Sequence, residues 1–299
     1  MIALALALAA VPAGAAPPGH VVARIKVGLN PCAEVQAFGA VWVANASSNT
    51  LSRINPATNR VTATVKVGPQ PCALVPAAGA LWVDGYGWGE VERVDPRRLK
   101  VTRRISIGSG VWDVAFDGRF LWADSNGDGT VVKIDPRTSR IVTRLRIGGS
   151  PTGLEVADGS LWVGSNGPGD RRFFRIDLAT RRVTRIDAGC ARPAYFASAP
   201  GAVWVMCVGD TTVLRIDPAT NAIVARVEAG PQPGDGTVGA DGLVWVPLRG
   251  AAKVARIDPA TNAVVDTIAV SGTPMLLNVA FGDVWVPDYR GSTIWRLTP

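Results

Sequence analysis

The sequence predicts an all-β fold, a seven-bladed β-propeller, because three markers recur in phase along most of the 299 residues. One is a basic-aliphatic-acidic triplet, such as Arg215-Ile216-Asp217, and another is a Gly-x-x-Pro segment, such as Gly68 to Pro71. Periods of about 20–50 residues are typical of solenoids, propellers and arrays. The third marker is a Trp between an aliphatic and a small apolar residue, at gaps of 40, 40, 40, 42, 41 and 40: Trp42, Trp82, Trp122, Trp162, Trp204, Trp245 and Trp285.

Each repeat unit contains four short strands. In the unit of residues 69–108, Cys72 to Pro76 and Ala80 to Val83 are apolar runs. Glu90 to Val94 and Val101 to Ile107 alternate polar and apolar residues, as half-exposed strands do. Four strands in about 40 residues match one propeller blade.

The two ends of the chain are expected to share the last blade. The last unit supplies only three strands and ends with Thr293 to Leu297. Val21 to Val27 has the alternation of a fourth strand, and we predict that it pairs with that third strand. This closure removes two open sheet edges, which otherwise invite aggregation.

The turn between the third and fourth strands often reads Asp-Pro-Ala-Thr-Asn, as at Asp217 to Asn221 and Asp258 to Asn262. The Asp carboxylate can cap the turn, Pro fixes φ, and Asn tolerates the left-handed conformation. We interpret this motif as structural.

The N-terminus resembles an export signal. The apolar run Ile2 to Val11 is too short to span a bilayer, and Ala13-Gly14-Ala15 is a small-x-small cleavage pattern. We predict a signal peptide over residues 1–15 and a single seven-bladed propeller over residues 16–299. No later apolar run is long enough for a membrane span. A secreted or periplasmic, soluble monomer is expected.

Composition narrows the possible functions. The single His excludes most His-based catalysis and every multi-His metal site. The net charge of +7 is compatible with acidic partners but does not assign one. No strong motif for a cofactor or a metal ion is present in the sequence, so we predict neither.

The four cysteines suggest disulfides in an exported chain. Cys32 and Cys72 occupy the same position in neighbouring units, while Cys190 and Cys207 fall at one end of the fifth. We favour the pairs 32–72 and 190–207 among the three possible pairings. The alternatives are weaker, because a metal site lacks close Cys spacing and a redox site lacks Cys-x-x-Cys.

The repeat unit resembles the YVTN-type β-propeller repeat. The resemblance rests on Trp42-Val43-Ala44-Asn45, Asn49 to Asn59 and Val61 to Val67, and it extends over residues 21–299. Related groups are the YncE-like secreted proteins and the virginiamycin B lyase-like propellers. The resemblance implies the fold more than a function. The unit departs from the pattern where Trp replaces Tyr before Val, and where Leu99 and Arg181 replace a turn Asn.

The lyase-like relatives imply a metal-assisted eliminase that uses His and Glu on one face of the ring. The only His here is His20, which precedes the first strand. Those catalytic residues therefore cannot be carried over to this chain.

Strand order places two kinds of loop on one face, which we call the top face: the loops between blades and the loops between second and third strands. The sequences of these loops vary most between units, and the fourth unit carries a two-residue insertion within Asn166 to Arg172. Insertions on one side of a repeat fold often mark its binding side.

Candidate ligand-binding residues lie in or near these loops. Asp113 and Glu155 break apolar or small series on the first strands, as does Glu34, and a buried carboxylate is costly unless it is paired. A bond to a loop amide or to channel water is the structural alternative. For the aromatic and Arg residues the alternatives are packing between blades and solvated charge. These candidates are Tyr86, Trp88, Trp112, Tyr195, Tyr289, Arg171, Arg172, Arg192, Arg249 and Arg290.

A weak calcium candidate lies in Asp124 to Gly129, where Asp124, Asn126 and Asp128 alternate as in a calcium loop. Asp128-Gly129 is also an ordinary hairpin turn.

The sequence favours a binding or interaction module whose top face takes a protein, glycan or small-molecule ligand. One alternative is a lyase or hydrolase that uses Asp113 and Glu155 as acid and base. Another, less favoured, is binding of nucleic acid or another polyanion through Arg and Trp.

Overall fold

Seven four-stranded antiparallel sheets form a closed ring in the computed structural model, which describes residues 19–85 and 89–299. The predicted signal peptide lies outside these residues. Each sheet is one blade, and the first strands of all neighbouring blades contact one another around a central axis. The prediction of a seven-bladed propeller is therefore confirmed.

The strands of each blade run outward from the axis in chain order, and they are numbered along the chain. Blade 1 contains β2 (Pro31–Ala37), β3 (Ala40–Asn45), β4 (Thr50–Asn55) and β5 (Arg60–Lys66); blade 2 contains β6 (Leu74–Ala77), β7 (Ala80–Gly85), β8 (Glu90–Asp95) and β9 (Lys100–Ser106). Blade 3 contains β10 (Val114–Phe116), β11 (Leu121–Ser125), β12 (Thr130–Asp135) and β13 (Arg140–Arg146), with a short 3₁₀ turn at Asn126–Asp128. Blade 4 contains β14 (Pro151–Ala157), β15 (Ser160–Ser165), β16 (Arg172–Asp177) and β17 (Val183–Asp187).

The remaining blades follow the same plan. Blade 5 contains β18 (Pro193–Ala199), β19 (Ala202–Cys207), β20 (Thr212–Asp217) and β21 (Ala222–Glu228); blade 6 contains β22 (Thr237–Val238), β23 (Val244–Leu248), β24 (Lys253–Asp258) and β25 (Ala263–Ala269). Blade 7 contains β26 (Asn278–Ala280), β27 (Asp283–Pro287), β28 (Thr293–Thr298) and, from the other end of the chain, β1 (His20–Lys26).

The N-terminal strand closes the ring as predicted. β1 pairs antiparallel with β28 from His20 opposite Thr298 to Lys26 opposite Thr293. Ile25 is buried on this strand and packs with Trp285 and Ile294 of the last blade. The closure leaves β28 paired on both sides, and β1 takes the outer position that the fourth strand has in the other blades.

The seven repeat Trp side chains form the core between blades, and none is more than 1% exposed. In blades 1 and 3 to 7 the basic residue of the triplet covers the Trp of its own blade. The Arg175 guanidinium lies 5.2 Å from the Trp162 ring centroid, and that of Arg296 lies 5.5 Å from the Trp285 ring centroid. This cation–π contact explains why the two markers stay in phase.

The Asp-Pro turns are structural, as the sequence indicates. Asp217 Oδ1 accepts the Ala219 N–H at 2.8 Å, and Asp258 Oδ1 accepts the Ala260 N–H at 2.8 Å. Asn221 and Asn262 have φ values of 62° and 54°, in the left-handed region that Asn tolerates.

The two loop types predicted for the top face lie side by side. The Asn126 N–H donates to Gly110 O, the Asn166 N–H to Ser150 O, and the Gly209 N–H to Ala191 O. In each case a loop between second and third strands bonds to the loop that enters the same blade. In the described part of the chain, no helix has the length and apolar character needed to cross a membrane.

Candidate functional site

An axial cavity of about 240 Å³ lies where the first strands converge. Its wall comes from β2, β6, β10, β14 and the segments that lead into β22 and β26. Among residues 19–85 and 89–299, four carboxylate side chains line it, and no Lys or Arg does. These acidic residues are Glu34, Asp113, Glu155 and Asp235.

Three of the carboxylates accept main-chain N–H groups of neighbouring blades, and Glu155 accepts the Ser198 hydroxyl of blade 5. Asp113 Oδ2 accepts the Leu154 N–H of blade 4 at 2.7 Å, and Asp235 Oδ1 accepts the Phe196 N–H of blade 5 at 3.0 Å. Asn278 in blade 7 donates its N–H to Glu34 Oε1 at 2.7 Å. The structural reading of these acids, a bond to a backbone amide, therefore describes part of their role.

Two further carboxylates lie behind the cavity wall. Asp84 Oδ1 accepts the Cys72 N–H at 2.6 Å, and Asp124 Oδ1 accepts the Trp112 N–H at 2.7 Å. The second oxygens of Asp84, Asp124 and Glu34 are buried and accept no hydrogen bond from the described residues. A buried carboxylate oxygen without a hydrogen bond is costly when the group is charged, so these sites disfavour the ionised form.

Burial and mutual repulsion disfavour the charged forms of these acids. Burial, opposed in part by two backbone bonds and reinforced by the charge of Glu155, raises the pKa of Asp113 to about 7. Burial also raises the pKa values of Glu34, Asp84, Asp124 and Asp235 well above their ordinary range, and it raises that of Glu155. A positive charge in the cavity would reverse this effect.

A second cavity, the mouth cavity, of about 240 Å³, lies one residue nearer the top face along the same strands. Trp112 precedes Asp113, and Met275 precedes Leu276 of the axial cavity. Tyr289 and the Cys32–Cys72 disulfide complete an aromatic and sulfur-rich wall. Two predicted site residues, Trp112 and Tyr289, therefore lie together above the acids.

The predicted arginines do not form one set. Arg171 and Arg172 lie at a separate groove beside blade 4. Arg192 donates to Val208 O at 3.3 Å and Arg290 is exposed, while Arg249 is half-buried. Burial raises the pKa of Tyr195, and the nearby charge of Arg249 opposes this shift in part.

Tyr195, a predicted ligand-binding residue, is buried and fits the alternative of packing between blades. Tyr195 is 4% exposed and packs with Ala194, Met206 and Leu248. A bulge between Pro193 and Tyr195 interrupts the regular alternation of β18. β2 and β14 have the same kind of irregularity near their first residues, so it does not set β18 apart. Position in the repeat does not contain the packing against blade 6 that buries the Tyr195 side chain. Tyr86 and Trp88, the other two aromatic residues predicted to bind a ligand, lie outside the described residues.

The weak calcium candidate uses its side chains within the fold. Asp124 is fully buried, Asn126 Nδ2 donates to Thr152 Oγ1 at 2.9 Å, and Asp128 Oδ2 accepts the Ser109 N–H at 3.0 Å. Across residues 19–85 and 89–299, no group of three or more His, Cys, Asp or Glu side chains is placed to hold a metal ion.

Disulfides join Cys32 to Cys72 and Cys190 to Cys207, the pairs that the sequence analysis favoured. The first links blades 1 and 2, and the second lies within blade 5. Structural disulfides form in oxidising compartments, so the two bonds fit an extracellular or periplasmic protein.

Sequence reasoning missed Asp84, Asp235 and Asn278 as neighbours of the cavity. Asp84 and Asp124 stand two residues after the repeat Trp, where other units have Ala44, Gly164 or Met206. That break in an apolar series was a usable signal. Asp235 lies in Pro233-Gly234-Asp235-Gly236, which resembles an ordinary turn and gave no signal.

No family model matches the chain, and no curated protein matches it. Among solved structures, a streptogramin B lyase is 18% identical, with a TM-score of 0.79 and coverage of 92% of this chain and 97% of that one. Virginiamycin B lyase from Staphylococcus aureus is 15% identical, with a TM-score of 0.79 and coverage of 93% and 98%. The hydrazine synthase of Kuenenia stuttgartiensis is 16% identical, with a TM-score of 0.76 and coverage of 91% and 97%. At these identities the similarity shows the fold alone: the chain is a seven-bladed β-propeller with four antiparallel strands in each blade.

Proposed function

We propose that this chain is an exported binding module that takes a small molecule with a positively charged amine group into the axis of the ring. The observation that carries the proposal is the axial cavity, where the described part of the chain contributes four carboxylates and no cationic side chain. It lies beneath a mouth of Trp112, Tyr289 and Met275. The signal peptide and the YVTN-type repeat belong to this proposal, and both rest on the sequence motifs.

The charge and the shape of the axial cavity both support an organic cation as its ligand. An ammonium group would receive Coulomb attraction from Asp113, Glu155 and Asp235, and this attraction is strong at a site of low effective dielectric constant. Aromatic faces at the mouth add cation–π attraction for the same kind of group. The acids are spread around the ring, which suits an extended amine better than a chelated ion.

Isothermal titration calorimetry with spermidine as the probe tests the proposal. We expect saturable binding to the wild type, weakened about tenfold by Glu155→Gln because one charged partner is lost. Asp158→Asn is the matched control, since Asp158 is an exposed acid at a turn and does not line the axial cavity. No binding, or equal weakening by both variants, would contradict the proposal.

The enzyme alternative keeps one supporting observation, the pKa of about 7 for Asp113, which suits proton transfer near neutral pH. Against it, both Asp113 oxygens accept main-chain N–H groups, of Val114 and Leu154, each at 2.7 Å. Mass spectrometry of the probe after incubation separates the two functions. A binding module returns the amine unchanged, and an enzyme that acts on it does not.

A further inference from the structure

A third cavity, of about 400 Å³, lies between blades 3 and 4, and basic side chains outnumber acidic ones in its wall, in contrast to the axial cavity. We call it the arginine groove, after Arg171, Arg172 and Arg185 in its wall. The inserted loop of blade 4 supplies Gly169 to Arg172 on one side, and the loop after β13 supplies Ile147 to Gly149 on the other. Both are top-face loops.

The three guanidinium groups in this groove have no partner within the described residues. None makes a hydrogen bond, an ion pair or a ring contact there. Arg175, on the same strand as Arg172, contrasts with them: it covers Trp162 and donates to Asn221 Oδ1 at 2.8 Å. Arg181 and Arg182, at the turn after β16, also donate no hydrogen bond from their guanidinium groups to the described residues, but they lie outside the groove.

The repeat supplies an internal comparison for Arg185. Arg144, Arg185 and Arg226 occupy the same register, each opposite the residue before the basic-aliphatic-acidic triplet. Arg144 donates to Ile107 O and Arg226 donates to Ala188 O at 2.9 Å, and each acceptor lies where the preceding blade ends. Arg185 does not make the equivalent bond to Ile147, although both residues line the groove. Of these three arginines, only Arg185 of blade 4 therefore lacks a bond to the preceding blade within the described residues.

Two carboxylates also line the groove, and each has partners of its own. Asp170 Oδ2 accepts the Gly167 N–H at 2.8 Å and the Ser165 hydroxyl. Asp187 Oδ1 accepts the Gly189 N–H at 3.0 Å. The backbone leaves space beside the arginines, because a Cβ added at Gly148 or Gly169 would meet no atom within 4 Å.

We propose that the arginine groove binds an oxyanion group, phosphate or sulfate, at a site separate from the axial cavity and beyond the function proposed above. Arg presents a planar fork of donors that matches the oxygens of such groups. Three guanidinium groups exceed the two carboxylates in number, and only the carboxylates already have partners. The groove therefore combines net positive charge, unused donors and open volume.

Nuclear magnetic resonance of the arginine Nε–Hε groups tests the site directly. The protein is titrated with inorganic phosphate and, in a separate arm, with sulfate, at an ionic strength held constant with chloride. We expect saturable shifts for Arg171, Arg172 and Arg185, while Arg144 and Arg226 stay unmoved. The arm with the tighter binding identifies the group.

Matched variants complete the test. Arg185→Gln is expected to weaken binding about tenfold, through loss of a charge-assisted bond. Arg144→Gln and Arg226→Gln are the controls and should leave binding unchanged, while Arg185→Lys keeps the charge and should retain part of the affinity. Thermal unfolding verifies that each variant is folded.

Uniform shifts of all arginines, or equal weakening by the three Gln variants, would overturn the proposal in favour of unspecific charge. A short DNA duplex tests the polyanion alternative. Duplex binding that falls steeply with salt and is weakened equally by Arg144→Gln would assign the arginines to a general basic surface. Loss of spermidine binding in an Arg185→Gln protein is not expected, so the two proposals fail independently.

Discussion

Arg175 and Asn221 join neighbouring blades: Arg175 Nη1 donates to Asn221 Oδ1 at 2.8 Å and also to Pro218 O. The same clamp recurs from Arg215 to Asn262 at 3.1 Å and from Arg296 to Asn59 at 3.0 Å. The turn Asn therefore does two things, since it adopts a left-handed conformation and accepts a bond from the blade before it.

Replacing this acceptor should destabilise the ring. Asn221→Leu removes a charge-assisted hydrogen bond and places an unsuitable residue at a φ of 62°. We expect a loss of about 1–2 kcal/mol in the free energy of unfolding. Thermal denaturation followed by circular dichroism measures it, with Asn221→Asp as the control that keeps an acceptor. An unchanged midpoint for Asn221→Leu would show that the clamp contributes nothing.

The reverse change should stabilise blade 2. Leu99 has a φ of 54° and is 39% exposed, and it lies at the same surface depression as Arg53 of blade 1. Leu99→Asn relieves the strained conformation and offers Arg53 an acceptor, a gain of about 1 kcal/mol. Leu99→Ala provides neither advantage and serves as the control. Equal melting temperatures for the two variants would count against this reasoning.

Ring closure by β1 predicts an all-or-none effect of truncation. A chain that begins at Leu29 lacks β1 and exposes the edge of β28, so we expect it to lose cooperative unfolding and to aggregate. A chain that begins at Gly19 keeps every paired residue of β1 and is the control. Scanning calorimetry of both forms decides the point. A single sharp transition in the shorter chain would disprove the role of β1.

The axial acids predict that stability falls as the pH rises. Asp113 has an ordinary pKa of 3.8 and a folded pKa of about 7, so between these values the folded chain holds a proton that the unfolded chain has lost. Its contribution is complete below the lower pKa and is lost as the pH passes the higher one. The other axial acids change the free energy of unfolding in the same direction. Each proton that only the folded chain holds contributes about 1.4 kcal/mol per pH unit.

Denaturant unfolding across neutral pH measures this dependence. The turn aspartates, such as Asp217, have lowered pKa values because of the N–H bonds at their turns, so they act only at acid pH. We expect the free energy of unfolding to decrease from about pH 5 to about pH 8, and Asp113→Asn to flatten the decrease. A rise over this range would mean that the acids are not buried as described.

The sequence predicts the ring better than the site. The spacing of the repeat Trp residues and the alternation of Val21 to Val27 gave the blade number and the closure, because both depend on regular periods. Tyr195 was misplaced because packing against blade 6 buries it, and the repeat pattern does not contain that contact. The role of Asn221 as an acceptor was missed because its partner, Arg175, lies 46 residues away on another blade. Contacts between blades are fixed by packing, which one strand's pattern does not contain.

Calorimetry of spermidine binding near pH 7, in two buffers of different ionisation enthalpy, tests the proposed axial site through its protons. Spermidine is already protonated at this pH, so a cation among acids with raised pKa values should favour their charged forms and release protons into the buffer. The observed heat should then differ between the buffers, and the difference should shrink in Asp113→Asn. Equal heats in both buffers, or no binding at all, would contradict a cation site at the axis.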